Sequence, residues 1–185
     1  MAPLIYATNV SLDGYIEDAH GAFDWAPQDP DVFAATTSLL ERVGTLLYGR
    51  RLYETMAVWE TNATLAEQSD LTAAFASAWA AADKVVYSTT LTHPSTTSTR
   101  IERHFDPAAV RALKDDATSD VTIGGAELAA RAFESRLVDE CHLFLWPMTL
   151  GGGKPALPAG HIDLGLLDVD RFGNGVVKLR YRVSA

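Results

Sequence analysis

The sequence has little cysteine, an excess of acidic over basic residues and no long apolar run. Cys141 is the single cysteine, so no disulfide can form within the chain, a usage typical of a reducing compartment. The chain has 15 Lys and Arg residues against 24 Asp and Glu, which gives a formal net charge of −9. A nucleic-acid surface needs clustered basic residues, so this charge argues against one. No window of about 18 residues is both uncharged and apolar. We therefore expect a cytoplasmic protein without nucleic-acid or membrane partners.

The motifs of several enzyme classes are also missing. The 5 histidines form no H-E-x-x-H or His/Cys cluster, and no P-C-x-x-C or G-x-S-x-G run occurs. The segment Gly151 to Lys154 ends like a Walker loop, but Met148 stands at its first glycine position and Pro155 replaces Ser or Thr. We interpret this segment as a glycine-rich turn or bulge, and we expect no metal site.

What the sequence does contain is an alternation of strand and helix patterns that ends in two consecutive strands. We expect one helix after Pro30 that stops at Gly44, a second that starts at an Asp70 N-cap, and a third that starts at Asp106-Pro107. The expected strands are Leu4–Val10, Thr45–Tyr48, Lys84–Tyr87, a strand around Ile123, one around Leu143, and a C-terminal antiparallel hairpin in which Phe172–Gly175 joins Leu166–Val169 to Val177–Val183. We predict one α/β domain, residues 1–185, with a mixed sheet.

The segment from Val121 to Leu128 predicts a phosphate site. Its β-branched run breaks at Gly124 and Gly125, and an amphipathic helix begins directly afterwards. Glycine lets an anion approach the main chain, and the free N–H groups of a helix N-terminus attract negative charge. A tight turn without a ligand is the alternative interpretation of the same glycine pair.

Two further strand ends carry groups that suit phosphate. Gly49, Arg50 and Arg51 lie where a buried strand turns into a helix, and guanidinium groups bind phosphate bidentately. Ser88 and Thr89 end the next strand with hydroxyl groups. Surface charges and turn caps are the alternative at each position. Because ligands of α/β sheets bind at the carboxyl ends of strands, the three junctions together favour a nucleotide cofactor.

Four segments, in this order along the chain, resemble a known family. They are Ser11–Ile16 (SLDGYI), Leu46–Met56 (LLYGRRLYETM), Val85–Thr90 (VVYSTT) and Ile123–Leu128 (IGGAEL). The chain resembles the dihydrofolate reductase-like superfamily from about Pro3 to Val183. It is most similar to the C-terminal reductase domain of the bifunctional riboflavin-biosynthesis deaminase-reductase and its stand-alone relatives.

The resemblance implies a mixed, mainly parallel sheet flanked by helices, with NADPH as the hydride donor and a pyrimidine or pterin-like heterocycle as the substrate. A homodimer is the expected assembly. The resemblance implies that the adenosine side of NADPH, with its 2′-phosphate, is held by Gly49, Arg50 and Arg51, and that a second wall is formed by Ser88 and Thr89. It implies that the pyrophosphate is covered by Gly124, Gly125, Ala126, Glu127 and Leu128, with Ile16 near the nicotinamide. It also implies that Asp13 faces the substrate as the catalytic candidate and that Trp25 binds substrate. Asp13 alternatively only secures an Asp-Gly turn, and Trp25 alternatively is a packing anchor.

The chain also departs from these relatives in ways that keep other functions open. The deaminase half is missing, so the expected activity is the reduction alone, similar to 5-amino-6-(5-phosphoribosylamino)uracil reductase. Dihydrofolate reductases hold the pterin with a carboxylate on the first helix, where this chain has Phe33 and Thr37, with Asp31 as the nearest acid. Dihydrofolate reduction and a non-catalytic dinucleotide-binding protein are therefore the alternatives.

Overall fold

The computed structural model describes residues 1–184, which form ten strands and seven helices. In chain order the elements are β1 (Leu4–Ser11), β2 (Tyr15–Glu17), α1 (Pro30–Leu40), β3 (Val43–Gly49), α2 (Arg50–Met56), α3 (Val58–Thr61), α4 (Ala63–Ala66), α5 (Asp70–Ala81), β4 (Asp83–Tyr87), β5 (Thr99–Glu102), α6 (Pro107–Asp116), β6 (Asp120–Gly124), α7 (Ala126–Glu134), β7 (Glu140–Trp146), β8 (Lys154–Pro155), β9 (Leu164–Arg171) and β10 (Val177–Val183). Among these residues, no helix is long and apolar enough to cross a membrane.

Eight strands form one mixed sheet in the order β5-β4-β3-β6-β1-β7-β10-β9. The pairs from β5 through β7 are parallel, and β10 pairs antiparallel with both β7 and β9. This confirms the expected mainly parallel sheet and its C-terminal antiparallel hairpin. Since β1, β3, β4 and β6 are parallel neighbours, their carboxyl ends open at the same edge of the sheet.

Both faces of the parallel part are buried, as crossover helices require. On β3, Leu46 and Tyr48 face a cluster that includes Phe75 and Trp79 of α5. Leu47 faces the opposite cluster, which includes residues of α6 and α7. The alternation along a single strand therefore anchors helices on both sides. Cys141 lies in this second cluster, and burial raises the pKa of its thiol to about 12, which fits an inert core residue.

Two helix boundaries differ from the sequence prediction. Helix α1 ends at Leu40, and Gly44 lies within β3, where an added Cβ would come within 2.9 Å of the Ser119 Cβ. Gly44 therefore serves a close approach inside the sheet and does not stop the helix. The N-cap of α5 is Ser69, not Asp70, because Ser69 and Thr72 form reciprocal side-chain-to-backbone hydrogen bonds in a capping box.

A second, two-stranded sheet joins β2 to β8, and the sequence patterns did not predict it. The segment from Gly151 to Gly153 is a turn in which all three glycines have positive φ, which confirms the glycine-rich turn. A Cβ on Gly153 would collide with the Glu17 carbonyl and the Asp18 backbone. The missing side chain lets β8 lie against β2 beside the open edge of the main sheet.

Candidate functional site

The carboxyl ends of the parallel strands open into a cleft of about 790 Å³. Twelve of the residues singled out in the sequence lie together in its lining: Ile16, Trp25, Gly49, Arg50, Arg51, Ser88, Thr89, Gly124, Gly125, Ala126, Glu127 and Leu128. Asp13 is the one singled-out residue that lies outside this lining. The fold thus brings together, in a single cleft, segments that are far apart in the sequence.

The N-terminus of α7 has the geometry of an anion site. Gly125 is its N-cap residue, with φ 89° and ψ 123°, and no side chain caps the helix. A Cβ built on Gly125 would meet nothing within 4 Å, so the space in front of this backbone is open. The N–H groups of the first helical turn therefore face free space with the positive end of the helix dipole behind them. This arrangement fits a phosphate group.

Gly124 has a different role from its neighbour. A Cβ there would collide with Leu52 Cδ2 and come within 3.1 Å of the Tyr48 ring. Gly124 therefore lets α2 and β3 pack closely against the end of β6. One glycine of the pair shapes the packing, whereas the other leaves the backbone accessible.

The two arginines at the start of α2 are held to different degrees. The Arg51 guanidinium donates to Glu17 Oε2 at 3.0 Å and to the Gly21 carbonyl, and it lies 5.6 Å from the centroid of the Phe23 ring. Arg50 makes a single ion pair with Glu54 at 3.2 Å, in which both side chains are about half exposed. Arg51 is thus fixed against the segment after β2, while Arg50 is restrained only by a surface pair.

Ser88 shapes the end of β4 from a buried position. Its hydroxyl accepts hydrogen bonds from the N–H groups of Thr90, at 3.2 Å, and Leu91, at 2.9 Å. Arg103 closes the same loop by donating to the Ser88 and Leu91 carbonyls at 2.9 and 2.7 Å. With its hydroxyl engaged in the loop, Ser88 contributes shape to the cleft, and the exposed Thr89 carries the accessible hydroxyl.

Lys154 stands between two acidic side chains at the cleft wall. Its ammonium lies 2.9 Å from Glu127 Oε1 and 3.3 Å from Glu17 Oε1. The hydrogen bond to Glu127 is the main cause that raises the pKa of Lys154, and the same bond lowers the pKa of Glu127. These pairs join α7, β8 and β2. The same three residues also line a second cavity of about 720 Å³.

Another part of the cleft wall is aromatic. Trp25 donates its indole N–H to the Ile16 carbonyl at 2.9 Å, and both residues line the cleft together with Phe23. Trp25 also packs against the apolar cluster around Phe144 and Trp146. It is therefore an anchored wall: the hydrogen bond and the cluster fix its ring, and part of that ring remains accessible.

The Asp13 carboxylate is engaged by the protein itself. It accepts hydrogen bonds from Ser11 Oγ at 2.6 Å, from the Leu150 N–H at 3.0 Å and from the Gly151 N–H at 2.7 Å. The Ser11 bond is the main cause that lowers the pKa of Asp13. This geometry fits the turn-securing interpretation, since Asp13 ties the β1–β2 turn to the glycine-rich turn. Its catalytic role stays a prediction.

The lining also includes residues outside the sequence motifs, among them Asn9, Phe23, Arg103 and Lys154. Asn9 carried a usable signal, because it is the one amide within the apolar strand β1. Lys154 ends the glycine-rich segment from Gly151, and the following Pro155 excludes a Walker loop. Nothing in their spacing marked Phe23 and Arg103, which the fold brings to the cleft from loops.

The arrangement suits a phosphate-bearing cofactor together with a small planar molecule. Across residues 1–184, no three His, Cys, Asp or Glu side chains cluster as a metal ion would require. Basic groups and free backbone donors occur at α2 and α7, and the rings of Phe23 and Trp25 belong to the same lining. Such a cleft can bind and align two reactants and exclude water between them.

A known protein resembles this chain in sequence, and others resemble it in fold. The uncharacterized protein YyaP of Bacillus subtilis (strain 168) is 30% identical over 175 residues, which cover 93% of this chain and 90% of that protein. A putative riboflavin biosynthesis protein from Shewanella sp. PV-4 superposes with a TM-score of 0.75 at 20% identity, covering 100% of both chains. A deaminase/5-amino-6-(5-phosphoribosylamino)uracil reductase from Thermotoga maritima superposes with a TM-score of 0.64 at 14% identity, covering 99% of this chain and 57% of that one.

The two solved structures establish the fold, which the sequence resemblance had implied. The family model described as the RibD C-terminal domain matches residues 2–178, nearly the full length of the chain. With that match and the ordered motifs around the cleft, this chain belongs to the RibD C-terminal domain family.

Proposed function

We propose that this protein is an NADPH-dependent reductase of a small pyrimidine or pterin-like heterocycle, similar to 5-amino-6-(5-phosphoribosylamino)uracil reductase. The observation that carries the proposal is the uncapped N-terminus of α7, where Gly125 leaves its backbone open toward a cleft that also presents Arg50 and Arg51. Membership of a reductase family supports the same activity.

The residues present fit such a cofactor. The first-turn N–H groups of α7, from Gly125 to Leu128, would hold the pyrophosphate, because they have no side-chain cap. Arg50 would bind the 2′-phosphate, since its only restraint is a surface pair with Glu54. Thr89 would add a hydroxyl at the same end of the cleft.

When bound, NADPH supplies the hydride, and the protein contributes binding, alignment and exclusion of water. Ile16 and the anchored ring of Trp25 form the wall against which two planar groups can stack. Asp13 holds the β1–β2 turn against the glycine-rich turn. The reduction also needs a proton, and Glu17 is an acidic side chain of the cleft lining. Because Glu17 is engaged by Arg51 and Lys154, we infer that water delivers this proton.

The geometry favours a pyrimidine over dihydrofolate. No residue of α1 is among the cleft-lining residues, and Asp31 lies exposed in the first turn of that helix. Thr37 is buried and bonded to the Phe33 carbonyl, while Phe33 packs on the rings of Trp59 and Phe75. The α1 carboxylate that holds a pterin in dihydrofolate reductases thus has no counterpart here.

Oxidation of NADPH by the full-length protein, followed with separate pyrimidine, dihydrofolate and quinone acceptors, tests the proposal. We expect turnover with 5-amino-6-(5-phosphoribosylamino)uracil, the compound for which the Thermotoga maritima reductase is named. Turnover with dihydrofolate alone would establish the alternative activity. NADPH binding without turnover on any acceptor would establish a binding protein that lacks catalysis.

A further inference from the structure

Asn9 has an amide group whose orientation is fixed by a neighbour. The indole N–H of Trp146 donates to Asn9 Oδ1 at 3.0 Å, and the Trp146 ring is 5% exposed within the cluster that contains Val32 and Val176. An indole nitrogen can only donate. The Asn9 oxygen must therefore face Trp146, so the amide cannot turn over.

The other half of this amide is left free. Asn9 is exposed on β1 and lies in the cleft lining, and its Nδ2 has no hydrogen-bond partner within residues 1–184. With the oxygen committed to Trp146, the NH2 group presents two donors on the side away from the indole. Trp25, which packs against the same apolar cluster as Trp146, lines the cleft as well. A fixed pair of donors and an aromatic ring therefore belong to the same cleft and are linked through Trp146.

We propose that Asn9 is a specificity-determining residue, which donates a hydrogen bond to a carbonyl oxygen of the acceptor, and that Trp146 is the positioning residue that fixes it. The inference rests on the proposed function, which puts the acceptor at the Ile16–Trp25 end of the cleft. It selects heterocycles with an oxo group at that edge, such as uracils. It disfavours amino groups there, because two opposed donors leave a polar group unpaired.

A purely structural role for Asn9 makes a different prediction. If Asn9 only satisfies the Trp146 indole, any side chain with an accepting oxygen at that position is equivalent. Asn9→Asp separates the two roles, since a carboxylate keeps the acceptor for Trp146 and replaces the two donors with an acceptor. Trp146→Phe tests the clamp, because it leaves the Asn9 amide in place without its fixed orientation.

The test is a binding measurement on the full-length protein with two small probes of opposite polarity, uracil and 2,4-diaminopyrimidine. Nuclear magnetic resonance titrations would be run with and without NADPH. We expect the wild type to prefer uracil, Asn9→Asp to reverse the preference with a change of about five- to tenfold for each probe, and Trp146→Phe to weaken the preference without reversing it. Asn62→Asp, an exposed position outside the cleft lining, is the matched control and should change neither probe.

Two outcomes would overturn the proposal: an unchanged preference in folded Asn9→Asp, or no binding of either probe to the wild type. If Asn9→Asp does not fold, Asn9→Ala must weaken the binding of uracil alone. Equal weakening of the binding of both probes would refute the role of Asn9 in specificity. NADPH titration of the same samples keeps the two hypotheses apart. If the wild type does not bind NADPH, the proposed function is contradicted. If the wild type binds NADPH and Asn9→Asp leaves the probe preference unchanged, only the role of Asn9 is contradicted.

Discussion

At the scale of single residues, the cations of the cleft differ in how strongly the protein already engages them. Arg51 contacts Glu17, the Gly21 carbonyl and the Phe23 ring, so a ligand would have to compete with all three. Arg50 has only the exposed pair with Glu54, a type of interaction that contributes about 0.3–0.5 kcal/mol. Arg50 is thus the residue best able to turn toward an incoming phosphate.

We predict that Arg50→Ala removes most of the preference for NADPH over NADH. A charge-assisted hydrogen bond to the 2′-phosphate is worth about 1.5–3 kcal/mol, and NADH lacks that group. Fluorescence titration of both cofactors measures the change. Arg51→Ala should instead weaken both cofactors together, because Arg51 holds the segment that contains Gly21 and Phe23.

Arg111→Ala, an exposed α6 residue outside the cleft lining, is the control for the loss of one positive charge and should leave both affinities unchanged. An Arg50→Ala protein that still discriminates as well as the wild type would remove Arg50 from the proposed 2′-phosphate site. A shift of the preference in Arg51→Ala alone would assign the site to Arg51.

We predict that Gly125→Val abolishes NADPH binding and leaves a folded protein. The side chain would enter the open space in front of the α7 N-terminus, and a β-branched residue at φ 89° is strained. Gly160→Val is the matched control, since Gly160 has φ 118°, equally open surroundings and a position outside the cleft lining. Circular dichroism and cofactor titration compare the two. Normal NADPH binding by folded Gly125→Val would mean that Gly125 only forms a turn and that the α7 N-terminus does not hold the pyrophosphate.

At the scale of elements, sequence patterns located those that are long or sharply capped. The alternation of Val177 to Val183 placed the C-terminal strand, and Asp106 caps α6 through the Ala108 N–H as its proline pair indicated. The strands β2, β5 and β8 were not predicted, because two to four residues carry too short a pattern and tertiary pairing decides their conformation.

The candidate site divides in the same way. Strand-end glycines and arginines follow local rules, so their motifs placed Gly125 and Arg50 at the cleft. Asn9 and Lys154 depend on partners distant in sequence, Trp146 for the first and Glu17 and Glu127 for the second. Such pairings follow from the fold, and a single sequence does not show them.

The β1–β2 turn supplies a prediction at this scale. Asp13→Asn replaces one accepting oxygen with an NH2 group that must face a donor from Ser11, Leu150 or Gly151. We expect kcat/KM on the true acceptor to fall at least about tenfold, while the affinity for NADPH barely changes. Steady-state kinetics beside cofactor titration measures both quantities. Unchanged kinetics would remove Asp13 from the catalytic account and leave it a replaceable turn residue.

At the scale of the whole molecule, stability should depend on pH through His142. This side chain is 1% exposed, donates from Nε2 to Glu140 at 2.8 Å, and has no partner for Nδ1. Burial is the main cause that lowers the pKa of His142 below its ordinary value of 6.5. Below about pH 6.5 the unfolded chain therefore binds a proton that the native protein does not, and stability falls as the pH falls.

We predict that the free energy of unfolding rises between about pH 5 and about pH 7 and that His142→Gln flattens this slope. Urea unfolding at several pH values measures it. His161→Gln, which alters a side chain that is 85% exposed, is the control and should retain the wild-type slope. The same slope in wild type and His142→Gln would show that another group titrates. The depressed pKa values of Asp13 and Asp18 act in the same direction, but in a window below about pH 4.

The oligomeric state of the protein is measured independently of its pH-dependent stability. The homodimer implied by the family resemblance stays a prediction, and light scattering of the purified protein measures it directly. Leu166, Leu167 and Val169 are exposed on β9, which is the edge strand of the main sheet.

A titration of the full-length protein with NADPH and with NADH under the same conditions decides whether this cleft is an NADPH site. The open α7 N-terminus at Gly125 and the weakly restrained Arg50 predict that NADPH binds at least about tenfold more tightly than NADH. Equal affinity for the two cofactors, or binding of neither, would contradict the assignment of this cleft to NADPH.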